Sequence, residues 1–244
     1  MRKVYILKVG TTYPATAKRF GDFDRWTADA LGMPDAGICV LDVERGAGLP
    51  AAEGCAGVVI TGSHSMVTDN PPWSIRVEKW LPSLLTSRVP VFGICYGHQL
   101  LARAAGGRVG FHPQGEEIGT VPVRLHPAGA EDVLFRGLPP SFSVHAAHAQ
   151  AVLRLPPDAV ALAFNNHNCH QAFRLGDCAW GVQFHPEYTA GIMRSYVEEQ
   201  SGELRQAGLD VPGLLGSILE TPVAARILRN FAGFVETGLR GVPD

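Results

Sequence analysis

The first part of the chain alternates short apolar runs with helical patterns, and this alternation restricts the possible folds more than any other feature. The runs are rich in β-branched residues and apolar on both faces, and they span residues 4–9, 38–43, 58–61 and 89–94. Between them, apolar residues recur at helical spacing, most clearly within residues 77–85. Strands that alternate with helices predict a layered α/β fold, in which right-handed crossovers build a parallel sheet.

The second part of the chain predicts a different arrangement of strands. Short strand-like segments are joined by turns, with no helix long enough to cross between them, at residues 118–125, 160–164, 171–175 and 179–184. We therefore expect an antiparallel β-meander added to an open, mostly parallel sheet of the flavodoxin-like kind, flanked by helices. Two C-terminal helices should follow, the last with Thr221 as its N-cap and Pro222 at its first position. We find no repeat or linker, so the expectation is one domain over residues 1–244.

Composition excludes several classes of protein. Of 244 residues, 46% are hydrophobic and 18% are charged, which fits a globular protein and not a disordered chain. The net charge of −2 offers no positive surplus for a phosphate backbone, so we expect no nucleic-acid partner. No apolar window is long enough to span a membrane, and the early charges at Arg2 and Lys3 disfavour a signal peptide. Because the five cysteines form no disulfide pattern, we expect a cytoplasmic protein with reduced thiols.

A candidate nucleophile lies where the fourth apolar run ends. Cys95 stands between Gly93 and Gly97, and a helical pattern begins directly afterwards. Small residues two positions before and after a nucleophile are typical of a sharp strand-to-helix turn, where a Cβ would collide with the backbone. Such a turn exposes the side chain at the carboxyl end of the strand and places it at a helix N-terminus, which favours a thiolate. The alternative is a buried structural cysteine beside a glycine-rich turn.

A thiolate nucleophile needs a base, and the base needs a group that orients it. His185 and Glu187 would share one face if the strand ran on through residue 187, because side chains alternate along a strand. The carboxylate could then accept a proton from one imidazole nitrogen and leave the other for Cys95. Alternatively, the pair is a strand-end histidine beside an unrelated surface glutamate.

These two motifs carry a family resemblance. Residues 93–99, Gly-Ile-Cys-Tyr-Gly-His-Gln, and residues 181–187, Gly-Val-Gln-Phe-His-Pro-Glu, resemble the two signatures of class I (triad-type) glutamine amidotransferases. The resemblance runs from about residue 40 to 190 and includes the closing helix, and the chain is similar to the glutaminase domain of GMP synthase. It implies hydrolysis of the glutamine γ-amide through a γ-glutamyl thioester, with release of ammonia. Cys95 would be the nucleophile, His185 the general base and acid, and Glu187 its orienting residue.

The resemblance also implies an oxyanion hole. Backbone N–H groups of Tyr96 and of the loop after residues 58–61 should face the tetrahedral intermediate. The family commonly has two glycines in that loop, and this chain has Gly62 followed by Ser63. A backbone donor survives this change if Ser63 can adopt the required φ angle. We therefore expect Ser63 and Tyr96 as donors, with Gly62 beside the substrate.

Further substrate contacts follow from the same resemblance. Gln99 matches a glutamine that faces the substrate, and His148 is the one residue retained from the family's Ser-His-Gly-Asp segment. Ala147 and Gln150 replace its serine and aspartate, which affects recognition of the substrate ammonium group.

Histidines in the second part of the chain allow another interpretation. His145, His148 and the segment at residues 167–170 could provide zinc ligands, but their spacing matches no known zinc signature and we place both segments in turns. We expect neither a metal nor another cofactor.

Three functions remain open from the sequence. The leading one is a glutaminase-type amidotransferase that acts on glutamine or a γ-glutamyl compound, with any synthetase or ammonia acceptor as a separate subunit. A γ-glutamyl peptide hydrolase would use the same residues, whereas a glutamine-sensing or partner-binding domain would not need the thiol. Residues 188–222 add an amphipathic segment, which either covers the sheet or lies at the catalytic mouth.

Overall fold

The structure is a computed structural model and describes residues 2–240, with side chains up to residue 238. Its strands, in chain order, are β1 (Lys3–Lys8), β2 (Ile38–Asp42), β3 (Cys55–Ile60), β4 (Val91–Ile94), β5 (Arg108–Phe111), β6 (Glu117–Leu125), β7 (Ser141–His148), β8 (Gln150–Arg154), β9 (Ala159–Phe164), β10 (Ala172–Leu175) and β11 (Ala179–Val182). Its helices are α1 (Pro14–Phe20), α2 (Phe23–Leu31), α3 (Pro72–Thr86), α4 (Tyr96–Ala104), α5 (Pro127–Glu131), α6 (Ala190–Glu199), α7 (Ser201–Gln206), α8 (Val211–Ser217) and α9 (Pro222–Arg240).

A nine-stranded sheet organises these elements in the order β2-β1-β3-β4-β11-β10-β9-β6-β7. The first five strands in that order run parallel, and the other four are antiparallel neighbours. The prediction of a mostly parallel α/β sheet extended by antiparallel strands is confirmed.

Three strands were not anticipated from the sequence. Strands β5 and β8 form a separate pair, and β7 forms the edge of the main sheet. His145 and His148 lie in β7, so the prediction that they lie in a turn was wrong. One face of this strand, from Phe142 to His148, is buried, and the other is only partly so. Because buried histidines lie on both faces, His148 on the first and His145 on the second, the alternation of polar and apolar residues that identifies such a strand is hidden.

Helices cover both faces of the sheet. One face carries α2 and α9, and the stripe of α9 that includes Ile227, Leu228 and Phe231 is fully buried there. The other carries α3 and α4, which bury Leu81 and Leu100 against β3 and β4. A third apolar cluster is formed by side chains of the segment between β11 and α9, such as Ile192 and Val197, together with Phe23 and Trp26 of α2.

The C-terminal part contains more helices than expected. Residues 188–222 include α6, α7 and α8, so four helices, and not two, follow β11 within the described residues. The last helix begins at Pro222, directly after Thr221, as predicted. In residues 2–240, no single helix is long and apolar enough to cross a membrane, and α8 with α9 reach that length only together, across a bend of 62°.

Candidate active site

The candidate nucleophile occupies a strained turn between β4 and α4. Cys95 has φ of 49° and ψ of −96°, a conformation that non-glycine residues rarely adopt. A Cβ on Gly93 would lie 2.5 Å from backbone atoms of Gly97, and a Cβ on Gly97 would lie 2.5 Å from the carbonyl oxygen of Ile60. Both glycines are therefore required by close backbone approach, as the sequence predicted.

The neighbouring strand brings a histidine to the same edge of the sheet. Strand β11 pairs in parallel with β4, and the backbone N–H of Cys95 donates to Val182 at 2.8 Å. The strand ends at Val182, so the expectation that it continues through residue 187 was wrong; Pro186 has no N–H for a ladder hydrogen bond. His185 lies in the following turn, where its Nδ1 and an oxygen of Glu187 are 2.8 Å apart.

The charges around His185 favour its protonated form. Burial alone would lower the pKa of this imidazole, but the nearby charges of Glu187 and Cys95 outweigh burial and raise the pKa to about 10. The ring also stacks on Tyr188 with centroids 4.0 Å apart. Because Nδ1–H donates to Glu187, Nε2 is the nitrogen left to exchange a proton with another group.

The loop after β3, residues 61–66 and here called the β3 loop, lies beside both residues. A Cβ on Gly62 would be 2.9 Å from Cε1 of His185 and 3.8 Å from Cβ of Cys95. Ser63 has no positive φ, so a serine at this position costs no backbone strain. Its Oγ accepts a hydrogen bond from the N–H of Ser65 at 3.1 Å, which a glycine could not provide.

A cavity of about 320 Å3 joins these elements. It is lined by Tyr13, Ser63, His64, Ser65, Met66, Cys95, Tyr96, Gln99, Glu116, Ala147, His148, Ala149, Gln150, Tyr196, Gln200 and Glu203. Thus five predicted site residues line one cavity, while His185, Glu187 and Gly62 are not part of its lining.

Two glutamines connect Cys95 to the cavity wall. Gln183 donates through Nε2 to the Cys95 sulfur at 3.5 Å, a contact that sequence analysis missed. Gln99 donates to the Gln150 carbonyl oxygen at 2.7 Å and to Oε1 of Gln183 at 3.1 Å. Its amide nitrogen is therefore already engaged within the protein.

His148 lies in a buried polar network. One ring nitrogen lies 3.0 Å from a carboxylate oxygen of Glu117, and the other lies 3.1 Å from the Gln150 carbonyl oxygen. The carboxylate of Glu117 also accepts from Asn165 and Gln171, at 2.6 and 2.7 Å. Burial opposes ionisation of Glu117, but these contacts, led by His148, lower its pKa overall. Sequence spacing gave no sign of Glu117, since its pairing with His148 arises from the β6–β7 register.

Metal ligation has little structural basis here. Within residues 2–240, no three His, Cys, Asp or Glu side chains form a group that could hold a metal ion. His145 instead pairs with Thr120, and His170 with the Val152 carbonyl oxygen.

The segment after β11 reaches the cavity. Tyr196 of α6 and Glu203 of α7 lie on its wall together with Gln200. The same segment packs Ile192 and Val197 in the third apolar cluster. The sequence allowed two roles for residues 188–222, and each describes a part of the segment. Some of its residues pack in the interior, and others border the cavity.

Comparison with known proteins identifies similar sequences. Residues 44–201 match the family model described as Glutamine amidotransferase class-I. A GMP synthase [glutamine-hydrolyzing] of Aeropyrum pernix is 40% identical over 142 residues, which cover 58% of this chain and 25% of that protein. A gamma-glutamyl-L-1-hydroxyisopropylamide hydrolase of a Pseudomonas species is 31% identical over 159 residues, 62% of this chain and 54% of that protein. The chain thus spans about a quarter and about half of these two relatives.

A solved structure shares the fold. The crystal structure of a glutamine amidotransferase from Thermotoga maritima matches with a TM-score of 0.77 and 24% sequence identity. The match covers 96% of this chain and 97% of that one, so the likeness extends over the sheet and the helices that follow β11.

Proposed function

Because the chain belongs to the class-I glutamine amidotransferase family, we propose that it hydrolyses the γ-amide of glutamine or of a related γ-glutamyl compound. In this proposal Cys95 is the nucleophile, His185 the general base and acid, and Glu187 the residue that orients His185. The observation that carries it is the strained Cys95 beside an imidazole whose pKa is raised to about 10 by the charges of Glu187 and Cys95. An imidazolium next to a thiolate is the charge arrangement that a cysteine hydrolase requires before attack.

The reaction would proceed in two halves. The Cys95 thiolate attacks the carboxamide carbon, and backbone N–H groups of Tyr96 and Ser63 stabilise the resulting oxyanion. His185 donates its Nε2 proton to the departing nitrogen, so ammonia leaves and a γ-glutamyl thioester forms. Neutral His185 then takes a proton from water, whose oxygen attacks the thioester, and the C–S bond breaks to release glutamate.

Glu187 would act through its contact with Nδ1. By accepting that proton, it fixes the tautomer that leaves Nε2 facing the reaction and stabilises the imidazolium. Gly62 would allow the β3 loop to approach His185, and the nine-stranded sheet that holds both motifs supports the proposal of one domain over residues 1–244.

A synthetase that uses the ammonia is the partner we propose for this activity. The similarity to a GMP synthase supports it, since that relative extends far beyond the matched part. The second candidate is hydrolysis of γ-glutamyl amides with no acceptor. It is favoured by the similarity to a gamma-glutamyl amide hydrolase and by the chain's own α6 and α7 on the cavity wall.

One assay tests the proposal and separates the two candidates. Glutamate and ammonia release would be measured with the purified chain on glutamine and on a set of γ-glutamyl amides, with Cys95→Ala as the inactive control. Higher kcat/KM on a γ-glutamyl amide than on glutamine supports the second candidate, and the reverse supports the first. Equal rates for wild type and Cys95→Ala would contradict both.

A further inference from the structure

The β3 loop is fixed to the sheet at its beginning. The backbone N–H of Thr61 donates to the Leu7 carbonyl oxygen at 3.1 Å, and the N–H of Val9 donates to Oγ1 of Thr61 at 3.2 Å. A Cβ on Gly10 would lie 3.0 Å from the Ser63 Cα, so the segment that follows β1 also packs closely against the loop at Ser63.

The segment directly after the loop is also held, because the Val67 carbonyl oxygen accepts from Arg103 at 2.6 Å. Gln150 also forms hydrogen bonds with Thr68 there. The middle of the loop, around His64, lies between these two held ends.

Helix α6 provides a contact in the middle of the loop. The Tyr196 phenol oxygen lies 3.0 Å from Nε2 of His64, the residue directly after Ser63. Both residues border the cavity, but the Tyr196 side chain is almost fully buried, with 2% of its surface exposed, whereas His64 is exposed. The His64 ring also packs against Tyr13, with centroids 4.4 Å apart. The exposed His64 is thus joined to a buried side chain 132 residues away in the chain.

The direction of this hydrogen bond follows from its neighbours. Thr12 donates its hydroxyl proton to the Tyr196 oxygen at 2.9 Å, so the phenol keeps its own proton for His64. Burial and the positive charge of His185 lower the pKa of His64, which favours the neutral ring. A neutral His64 with its proton on Nδ1 can accept from Tyr196 at Nε2.

We propose that Tyr196 is a positioning residue that acts through His64 to hold the Ser63 backbone N–H where an oxyanion forms. The inference rests on the proposed function, because the oxyanion arises only if an acyl carbon is attacked. Ser63 lies between the close contact with Gly10 and the hydrogen-bonded His64. Its Oγ also accepts from the N–H of Ser65, which stabilises the conformation of the loop. The donor is therefore aligned by this chain's own helix, and a small displacement of such a donor reduces catalysis.

The test compares Tyr196→Phe with Tyr5→Phe. Both remove one phenol oxygen and keep the ring, but Tyr5 lies on β1 outside the cavity lining. We expect Tyr196→Phe to lower kcat about tenfold with KM changed less than about twofold, because it removes the hydrogen bond to His64 that orients the donor, together with the one from Thr12 that supports the phenol. Amide hydrogen exchange in residues 61–66 should become faster in this variant and remain unchanged in Tyr5→Phe.

A double-mutant cycle with His64→Gln gives a second criterion. The glutamine oxygen can still accept from the phenol, so this variant should retain more kcat than His64→Ala. In the Tyr196→Phe background, His64→Gln and His64→Ala should have equal kcat, since the donor is gone. Thr12→Val removes the hydrogen bond that the Tyr196 oxygen accepts from Thr12. This variant replaces Tyr196→Phe in the test if Tyr196→Phe fails to fold.

Several results would overturn the inference. Unchanged kcat with unchanged exchange in residues 61–66 would do so, and so would a rise in exchange spread over the whole chain, because that indicates a general loss of stability. If the wild type has no turnover on any substrate, the proposed function fails, while the exchange measurement still decides whether Tyr196 holds the loop.

Discussion

The two ends of the central strands offer a direct comparison, because each has a cavity and a cysteine. At the carboxyl ends, Cys95 borders a cavity of about 320 Å3. At the amino ends of β3, β4 and β11, Cys55 and Cys178 border a larger cavity of about 610 Å3. In open α/β sheets, ligands bind at the carboxyl ends, so our proposal places the substrate in the smaller of the two cavities.

The cysteines differ in what surrounds them. Burial, together with the charge of Glu53, raises the pKa of Cys55 to about 11, and burial also raises the pKa of Cys178. Neither residue begins a helix, and Cys55 donates to the Ala51 carbonyl oxygen at 3.5 Å. Cys95 instead is the N-cap residue of α4 and lies beside an imidazole whose pKa is raised to about 10. We propose that a helix start and a positively charged neighbour distinguish a reactive thiol from one that is only buried.

The largest expected contrast comes from removing each thiol. Cys95→Ala should lower kcat/KM by about 10^4-fold or more, because the nucleophile is lost. Cys55→Ala and Cys178→Ala should keep wild-type activity, because both side chains lie at the other end of the strands. Steady-state glutamate release measures all three, and circular dichroism verifies folding. Wild-type turnover by Cys95→Ala would remove the distinction between the two ends.

The next largest contrast should be in the loss of activity when a carboxylate is replaced at each end of the strands. We expect His185→Ala to approach background and Glu187→Gln to lose about 10^2- to 10^3-fold, because the base moves protons while the carboxylate orients it. Asp177→Asn is the matched control, since Asp177 lines the amino-end cavity. The measurement is kcat/KM over a range of pH. A Glu187→Ala enzyme as active as wild type would mean that another group orients His185.

Chemical labelling should sharpen the comparison between thiols. A diazoketone analogue of glutamine should alkylate Cys95 at least about tenfold faster than Cys55 or Cys178, since a protonated thiol is a poor nucleophile. Peptide mass spectrometry after partial reaction identifies the site. Iodoacetamide, which carries no glutamyl group, should also react with the exposed Cys169. Equal labelling of Cys95 and Cys55 by the analogue would contradict the prediction.

Glycines at the two ends should differ in their effect on stability. A Cβ on Gly93 would meet backbone atoms at 2.5 Å, whereas one on Gly54, just before β3, would meet nothing within 4 Å. We expect Gly93→Ala to lower the free energy of unfolding by about 2 to 3 kcal/mol, because the backbone must shift. Gly54→Ala should leave it unchanged or raise it by up to about 1 kcal/mol. Urea denaturation measures both, and equal midpoints would contradict the close approach at the elbow.

The last expected difference between the two ends of the strands is in how the stability of the fold depends on pH. The pKa of His185 rises from 6.5 to about 10 on folding, so its contribution is present below pH 6.5 and is lost as pH rises to about 10. The pKa of His145 falls to about 4, mainly because of burial, so stability is lost as pH falls from 6.5. At the amino end, Cys55 adds a loss only between pH 9 and about 11.

Thermal unfolding between pH 4 and 11 tests these signs. His185→Ala should flatten the decline between pH 6.5 and 9, while Cys55→Ala should flatten only the part above pH 9. Identical profiles for these two variants would show that the titrating groups are others.

The sequence predicted those parts of the site that depend on local backbone sterics. Gly93 and Gly97 flank Cys95 in a pattern that few conformations tolerate, so the elbow could be derived from residue types alone. The proximity of His185 and Glu187 was also predicted, although from a strand that in fact ends at Val182. Pro186 was the available signal, because a proline interrupts the ladder.

Contacts across the sheet could not be derived in the same way. Glu117 reaches His148 through the register of two antiparallel strands, and Tyr196 reaches His64 from a helix far along the chain. Such pairings depend on tertiary packing, which leaves no periodic trace in either segment. The parallel strands were predicted because burial on both faces gives continuous apolar runs, while β7 combines burial with polar side chains and was missed.

The pairing of β4 with β11 has a consequence for how the chain acquires reactivity. These strands are neighbours in the sheet but are separated by the whole meander, and the loop between them must close before Cys95 and His185 can meet. Contacts between distant parts of a chain form slowly during folding, because the entropy of loop closure opposes them. A nascent or partly folded chain that has made β4 but not β11 therefore has Cys95 without His185 beside it. Under the proposed mechanism, such a chain lacks the base for Cys95, so catalytic reactivity would appear only when this last pairing of the sheet has formed.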